Sequence, residues 1–125
     1  MIEPRPNSLS QIASRTLAGQ SFEYELADFL HEFQRRGDLS MLLDEPESLR
    51  KHNPIYDAYL AAVAAHLAAR LKTSAPPWTR APGRILREPW FANPGRHMRA
   101  LLLVESPAAF RERNLFVTAN ALSVA

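Results

Sequence analysis

From Asn53 to Lys72 the chain reads NPIYDAYLAAVAAHLAARLK, the longest run whose apolar positions admit only a helix. Ile55, Tyr59, Val63 and Leu67 share one face, Tyr56, Leu60 and Leu71 lie beside them, and alanine fills most remaining positions. Asn53 is placed to accept from a first free amide, and Pro54 stands at N1, where its missing N–H costs nothing. Thin alanine flanks let neighbouring helices approach closely. The pattern predicts a central strut at about residues 54–72.

Two shorter amphipathic runs precede it. Ser8 and Gln11 form an S-x-x-Q capping box before Leu9, Ile12, Ala13 and Leu17, and Gly19 ends that helix. Ser21 caps a second helix from Phe22 to about Arg36, with Glu23 and Glu25 in its first turn, Arg35 and Arg36 in its last, and Gly37 beyond. Phe22, Leu26, Phe29, Leu30 and Phe33 make its core stripe. A DNA-reading helix-turn-helix is disfavoured, because the second helix would present Glu23, Glu25, Asp28 and Glu32 to phosphates. The run DEPESLRK, Asp44 to Lys51, opens with a box of Asp44 and Glu47 and predicts two helical turns.

After residue 72 the pattern breaks. Residues 73–95 hold five of the ten prolines and both tryptophans, which excludes long helices and central strands. Trp78, Ile85, Leu86, Trp90 and Phe91 are too apolar for a loose linker, so this stretch predicts an ordered belt across the helices, leaving through a turn at Pro94 and Gly95. Residues 96–105, RHMRALLLVE, predict a helix burying Met98, Leu101, Leu102 and Val104, since no second convincing strand exists to pair with LLLV. Ser106 and Pro107 read as N-cap and N1 of another helix to about Arg113, closed by Asn114 in the left-handed conformation. Leu115, Phe116 and Val117 follow as an extended apolar patch, and Thr118 caps a last turn containing Leu122. The fold class that emerges is all-α, a small irregular helical domain over residues 1–125.

Composition narrows the function classes. With no cysteine, the chain has neither a disulfide nor a thiol nucleophile. The start, MIEPRPNSLSQIASR, lacks a signal-peptide apolar segment, and no run approaches the ~20 apolar residues of a membrane span, so a cytoplasmic location is expected. The net charge of +2 hides a division: residues 1–60 carry six Lys or Arg against ten Asp or Glu, and residues 61–125 carry nine against three. Either the basic part meets an anionic partner, or the two parts attract each other within the fold.

Candidate chemistry is sparse. His31 and Glu32 begin H-E-x-x-H, but Arg35 occupies the second histidine position, and His52, His66 and His97 show no ligand spacing, so no metal site is expected. Four scattered glycines cannot build a phosphate or dinucleotide cradle, and the G-x-S-x-G elbow is missing. Catalytic residues and cofactors are therefore expected to be none. Glu25, Asp28 and Glu32, at i, i+3 and i+7, form a candidate acidic face. The larger group is basic and aromatic: Arg80, Arg84, Arg87, Trp90, Phe91, Arg96, Arg99, Arg111 and Arg113. It suits single-stranded nucleic acid, or a protein whose carboxylates arginine meets in a bidentate fork. Burial of Trp78 and Trp90 as a structural belt would remove the stacking platforms the nucleic-acid reading needs.

IASRTLAGQSFEYELADFLHEF, the DEPESL box, DAYLAAVAAHLAARL, PPWT, PWFA and LLLVESPAAFRERNLFVTANALSVA follow one another over residues 12–125. In that order they resemble a family of small stand-alone helical bacterial proteins encoded beside nucleotidyltransferase-like proteins, similar to toxin–antitoxin pairs. The resemblance implies no catalytic residues. It implies a non-enzymatic, antitoxin-like module that binds a nucleotidyltransferase-like partner, with Arg96, Arg99, Arg111, Arg113, Asn114 and Phe116 as the expected contact residues. The acidic face of Glu25, Asp28 and Glu32 is the alternative contact, and a small basic nucleic-acid-binding regulator is the alternative function. Charge reversal at Arg111 or Arg113 is expected to weaken the complex more than alanine in the acidic face.

Overall fold

Local capping chemistry sets the helix ends in the computed structural model, which describes residues 4–93 and 95–122. The first helix, α1, runs Leu9–Leu17 with Ser8 Oγ accepting from Gln11 N at 3.1 Å. Gln11 returns the bond one residue further out than a standard box, its Oε1 accepting from Asn7 N at 2.8 Å. Gly19, at φ +105°, closes α1 with a backbone bond from Gln20 N to Arg15 O. The second helix, α2, spans Phe22–Arg36 between the Ser21 cap and Gly37 at φ +56°. All five residues of its apolar stripe are buried.

The central helix, α4, is Pro54–Arg70, capped by Asn53 Oδ1 accepting from Ile55 N at 3.0 Å. It is buried nearly all round: Ala58, Leu60 to Ala64, Leu67 and Ala68 all lie inside. Alanine makes this possible by letting elements close in from several sides. Phe22 of α2 stacks on Tyr56 with ring centroids 4.0 Å apart, and Tyr59 meets Phe110 edge-on at 5.2 Å. Buried side chains from Leu9 to Leu122 form one hydrophobic cluster around α4.

Between α2 and α4 the expectation fails. The helix there, α3, is Ser40–Leu43, and residues 44–51 are not helical. Tertiary acceptors outcompete the capping box. Asp57 of α4 takes Leu49 N at Oδ1 (2.6 Å) and the Ser48 hydroxyl at Oδ2 (2.7 Å), while Arg84 donates to Pro46 O at 2.5 Å. A helix over these residues would forfeit all three bonds.

The belt is ordered, with 3₁₀ turns at Pro77–Arg80 and Pro82–Arg84 packed on α4. Trp78 is buried and donates its indole N–H to Leu42 O at 3.0 Å. The buried Arg84 guanidinium stacks over that ring, 5.0 Å from its centroid, and lies 3.6 Å from Asp57 Oδ1. The expected turn residue Pro94 lies outside the described residues.

Mostly helical holds; all-α needs one correction. Trp90–Phe91 (β1) and Leu115–Phe116 (β2) pair as a two-residue parallel ladder, Trp90 opposite Leu115 and Phe91 opposite Phe116. Its flanking bonds run from Trp90 N to Asn114 O (2.8 Å) and from Ala92 N to Phe116 O (2.9 Å). The ladder satisfies amides that an extended belt would otherwise bury unpaired. Before β2 come α5, Arg96–Glu105, and α6, Ala108–Arg111. Ser106 does not cap α6. Its hydroxyl accepts from Val117 N at 2.8 Å and sits 2.6 Å from Leu102 O, tying β2 to α5. Thr118 likewise caps no helix among the described residues, its hydroxyl donating to Asn120 Oδ1 at 2.8 Å. Among the described residues, no helix is long and apolar enough to cross a membrane.

Candidate functional site

Helix α5 sits at the edge of the fold and buries only Leu102. At about 100° per residue, four consecutive apolar side chains cannot share one side of a helix. Leu102 therefore faces the body, and its neighbours turn outward: Leu101 is 46% exposed, Leu103 49% and Val104 79%. The inward placement expected for Leu101 and Val104 is overturned, because β2 and the residues beside it cover only one edge of α5. Run length was the available signal: four successive apolar residues point in too many directions for a helix covered along one edge to bury them all.

The charged end of α5 is equally uncompensated. Gly95 offers no side-chain cap, and the first turn holds no acidic residue but Arg96 and Arg99. Arginines at a helix N-terminus oppose the macrodipole, so this end concentrates positive potential. Arg96 is exposed; Arg99 is exposed and lies over the Phe91 ring, 5.3 Å from its centroid. Neither pairs with a carboxylate among the described residues. Phe91 also stacks on Phe116 at 4.9 Å, so the ladder carries Arg99 on an aromatic base.

The other expected contact residues divide. Arg111 is exposed on α6. Phe116 is half-buried in the ladder. Asn114 adopts φ +62°, as its position after α6 requires, and its side-chain amide donates to Leu86 O at 2.7 Å, so it fastens the belt. Arg113 is only 4% exposed. Its Nη2 and Nε donate to Thr79 O at 3.0 and 3.3 Å, and its Nη1 to Ala109 O at 2.8 Å. Burial lowers its pKa from the ordinary arginine value, against the opposing pull of Glu112. Its donors are consumed inside the protein, so Arg113 leaves the contact set and becomes a clamp between α6 and the belt.

The acidic alternative is broken up. Glu25, expected on an open face, is 8% exposed and meets Arg15 of α1 at 3.1 Å. Glu32 bonds Arg35, and this hydrogen bond, the largest influence, lowers its pKa below the ordinary glutamate value. Asp28 alone of the three stands exposed without an ion pair among the described residues. No three His, Asp or Glu side chains come close enough to hold a metal ion among the described residues. Of the structural belt, Trp78 is buried and Trp90 and Phe91 are half-buried.

The surface with both apolar and charged groups to offer is thus the exposed side of α5, with Val104 at its centre, Leu101 and Leu103 on its two flanks and Arg96 and Arg99 in its first turn; Arg111 is exposed on α6. Compared with known protein families, characterised proteins and solved structures, the chain matches none.

Proposed function

We propose that the chain is a non-enzymatic protein-binding module whose α5 face engages an acidic protein surface. The observation that carries this reading is the exposure of Leu101, Leu103 and Val104 beside two arginines that have no carboxylate partner among the described residues. Apolar side chains flanked by arginine are the composition of an interface centre, where burial drives association and guanidinium groups select carboxylates. The partner class comes from the family resemblance: a nucleotidyltransferase-like protein, regulated or neutralised in an antitoxin-like way. Metal-binding carboxylates in such a cleft are the chemistry that Arg96, Arg99 and Arg111 are shaped to meet.

Affinity purification of the tagged protein from its native cell, in parallel with Val104→Glu and Arg99→Glu variants, tests it. One stoichiometric protein should accompany the wild type and be lost from both variants, because a charge placed in the apolar centre and a reversed charge beside it oppose the same surface. A partner retained by both variants overturns the assignment of the face. A high 260 nm absorbance with no protein partner would favour the basic nucleic-acid reading instead.

A further inference from the structure

A second surface, with no α5 residue in its lining, has the form of a small-molecule site. Beside the Phe22–Tyr56 stack, residues of α2 and α4 line a groove of about 430 Å³, within the range of ligand sites. Its walls are Phe22, Leu26, Ile55, Tyr56, Tyr59 and Trp90, and Trp90 enters from β1. The aromatic rings at Tyr56, Tyr59 and Trp90 are only half-buried, although each packs against the core. Their remaining surface faces a concavity that no described side chain fills.

Polar groups at the groove fix the charge it can accept. Glu23 lines the rim, where its Oε1 accepts from the Tyr56 hydroxyl at 3.2 Å and its Oε2 from Ser21 Oγ at 3.3 Å. It forms no ion pair among the described residues, and no Lys, Arg or His lines the groove. Both helix N-termini lie close by, but Ser21 Oγ already accepts from Tyr24 N, and Asn53 Oδ1 from Ile55 N. The full charge left at the rim is the Glu23 carboxylate. The Tyr59 hydroxyl adds a polar group to the apolar wall with no protein partner among the described residues, and burial raises its pKa from the ordinary value. An anion would face Glu23 without a counter-charge, and a neutral hydrocarbon would leave the carboxylate unused.

We infer that this groove binds a small organic cation, an amine or quaternary ammonium carried on an apolar body. The ammonium sits between the Glu23 carboxylate, Trp90 and the Tyr56 face that Phe22 does not cover, and the body fills the apolar walls over Leu26 and Ile55. Aromatic faces attract a cation through their quadrupole, and the carboxylate adds a charge-assisted contact.

The two tryptophans supply the assay. The Trp78 indole N–H is buried and bonded to Leu42 O, whereas Trp90 lines the groove. Titration of the ¹⁵N-labelled full chain with phenethylammonium and with benzyltrimethylammonium should move the Trp90 indole signal saturably and leave that of Trp78 in place. 3-Phenylpropanoate, of similar size and opposite charge, should not move it. Glu23→Gln should weaken both cations about tenfold. The proposal is overturned if neither cation gives a saturable shift, if the anion binds as well as the cations, or if Glu23→Gln binds them unchanged. The anion comparison is made on the wild type and does not depend on the variant. Because no α5 residue lines the groove, the result is separate from the fate of the protein-binding face.

Discussion

Among the described residues, two non-glycine residues hold left-handed backbone, and they differ in what holds them there. Asn114, at φ +62°, is of a type that tolerates this region, and its side chain is anchored to Leu86 O. Lys72, at φ +59°, ends α4: its N–H bonds Ala69 O at 3.0 Å, and Thr73 N bonds Ala68 O at 3.0 Å. That is a Schellman closure made with lysine, where glycine is the usual residue. Lys72→Gly should raise stability by about 0.5–1 kcal/mol, the left-handed strain relieved exceeding the added unfolded-state entropy. A lower denaturant midpoint for the variant would refute this. His66, half-buried beside Phe110, bears on acid stability. Burial first, then Arg70, depresses its pKa from the ordinary 6.5. The folded state thus favours neutral imidazole, and the stability it contributes is present above pH ~6.5 and lost as pH falls through the lower folded value. His66→Gln should therefore lose less of its urea midpoint than the wild type between pH 7.5 and pH 5. Equal losses would place the acid sensitivity elsewhere.

At the scale of elements, legibility followed whether the information was local. The starts of α1, α2 and α4 were readable because Ser8, Ser21 and Asn53 act within three residues of themselves. The ordered belt was readable because tryptophan in a proline-rich run has nowhere to go but inward. What misled was long-range competition. Asp44 and Glu47 spell a helix start, but Asp57, in the first turn of α4, claims Leu49 N and Ser48 Oγ, and no local pattern announces that. Ser106 spells a cap but is spent on Val117. The contact set divided for the same reason: Arg111 and Arg113 are indistinguishable in sequence, and the Thr79 and Ala109 carbonyls make the second a buried clamp while the first stays a surface cation. Asp57→Ala tests how much the 44–50 connector owes to that one carboxylate. It leaves the buried Arg84 without its carboxylate partner on α4 and Leu49 N without an acceptor, so a loss of about 3 kcal/mol is expected, with rapid exchange of the Leu49 amide. Slow exchange at Leu49 in a folded variant would show that the connector is held by packing alone.

Across the whole molecule, the acidic and basic parts of the chain are joined by little charge. Among the described residues Arg84 alone bridges them, reaching Glu45 at 3.7 Å and Asp57 at 3.6 Å; the other ion pairs lie within one part or the other. The exposed Arg80, Arg87, Arg96, Arg99 and Arg111 therefore add to an outward positive field, which speeds encounter with any anionic partner. Salt separates the partners that field can serve. A nucleic-acid complex held by phosphate contacts loses affinity steeply, since each neutralised phosphate releases counterions. It also has few platforms beside the arginines, with Trp78 buried and Phe91 already between Phe116 and Arg99. A protein complex centred on Leu101, Leu103 and Val104 draws much of its affinity from apolar burial, which salt does not screen. Raising salt from about 50 to 200 mM should therefore cost the α5 complex roughly tenfold or less, slowing association more than it speeds dissociation, against the losses of about a thousandfold seen when six or more phosphates are neutralised. Val104→Glu should weaken the complex at both salt concentrations, because the defect lies in the apolar centre. Surface plasmon resonance on the purified pair reads both rates, and a Val104→Glu complex indistinguishable from the wild type at high salt would move the interface off α5.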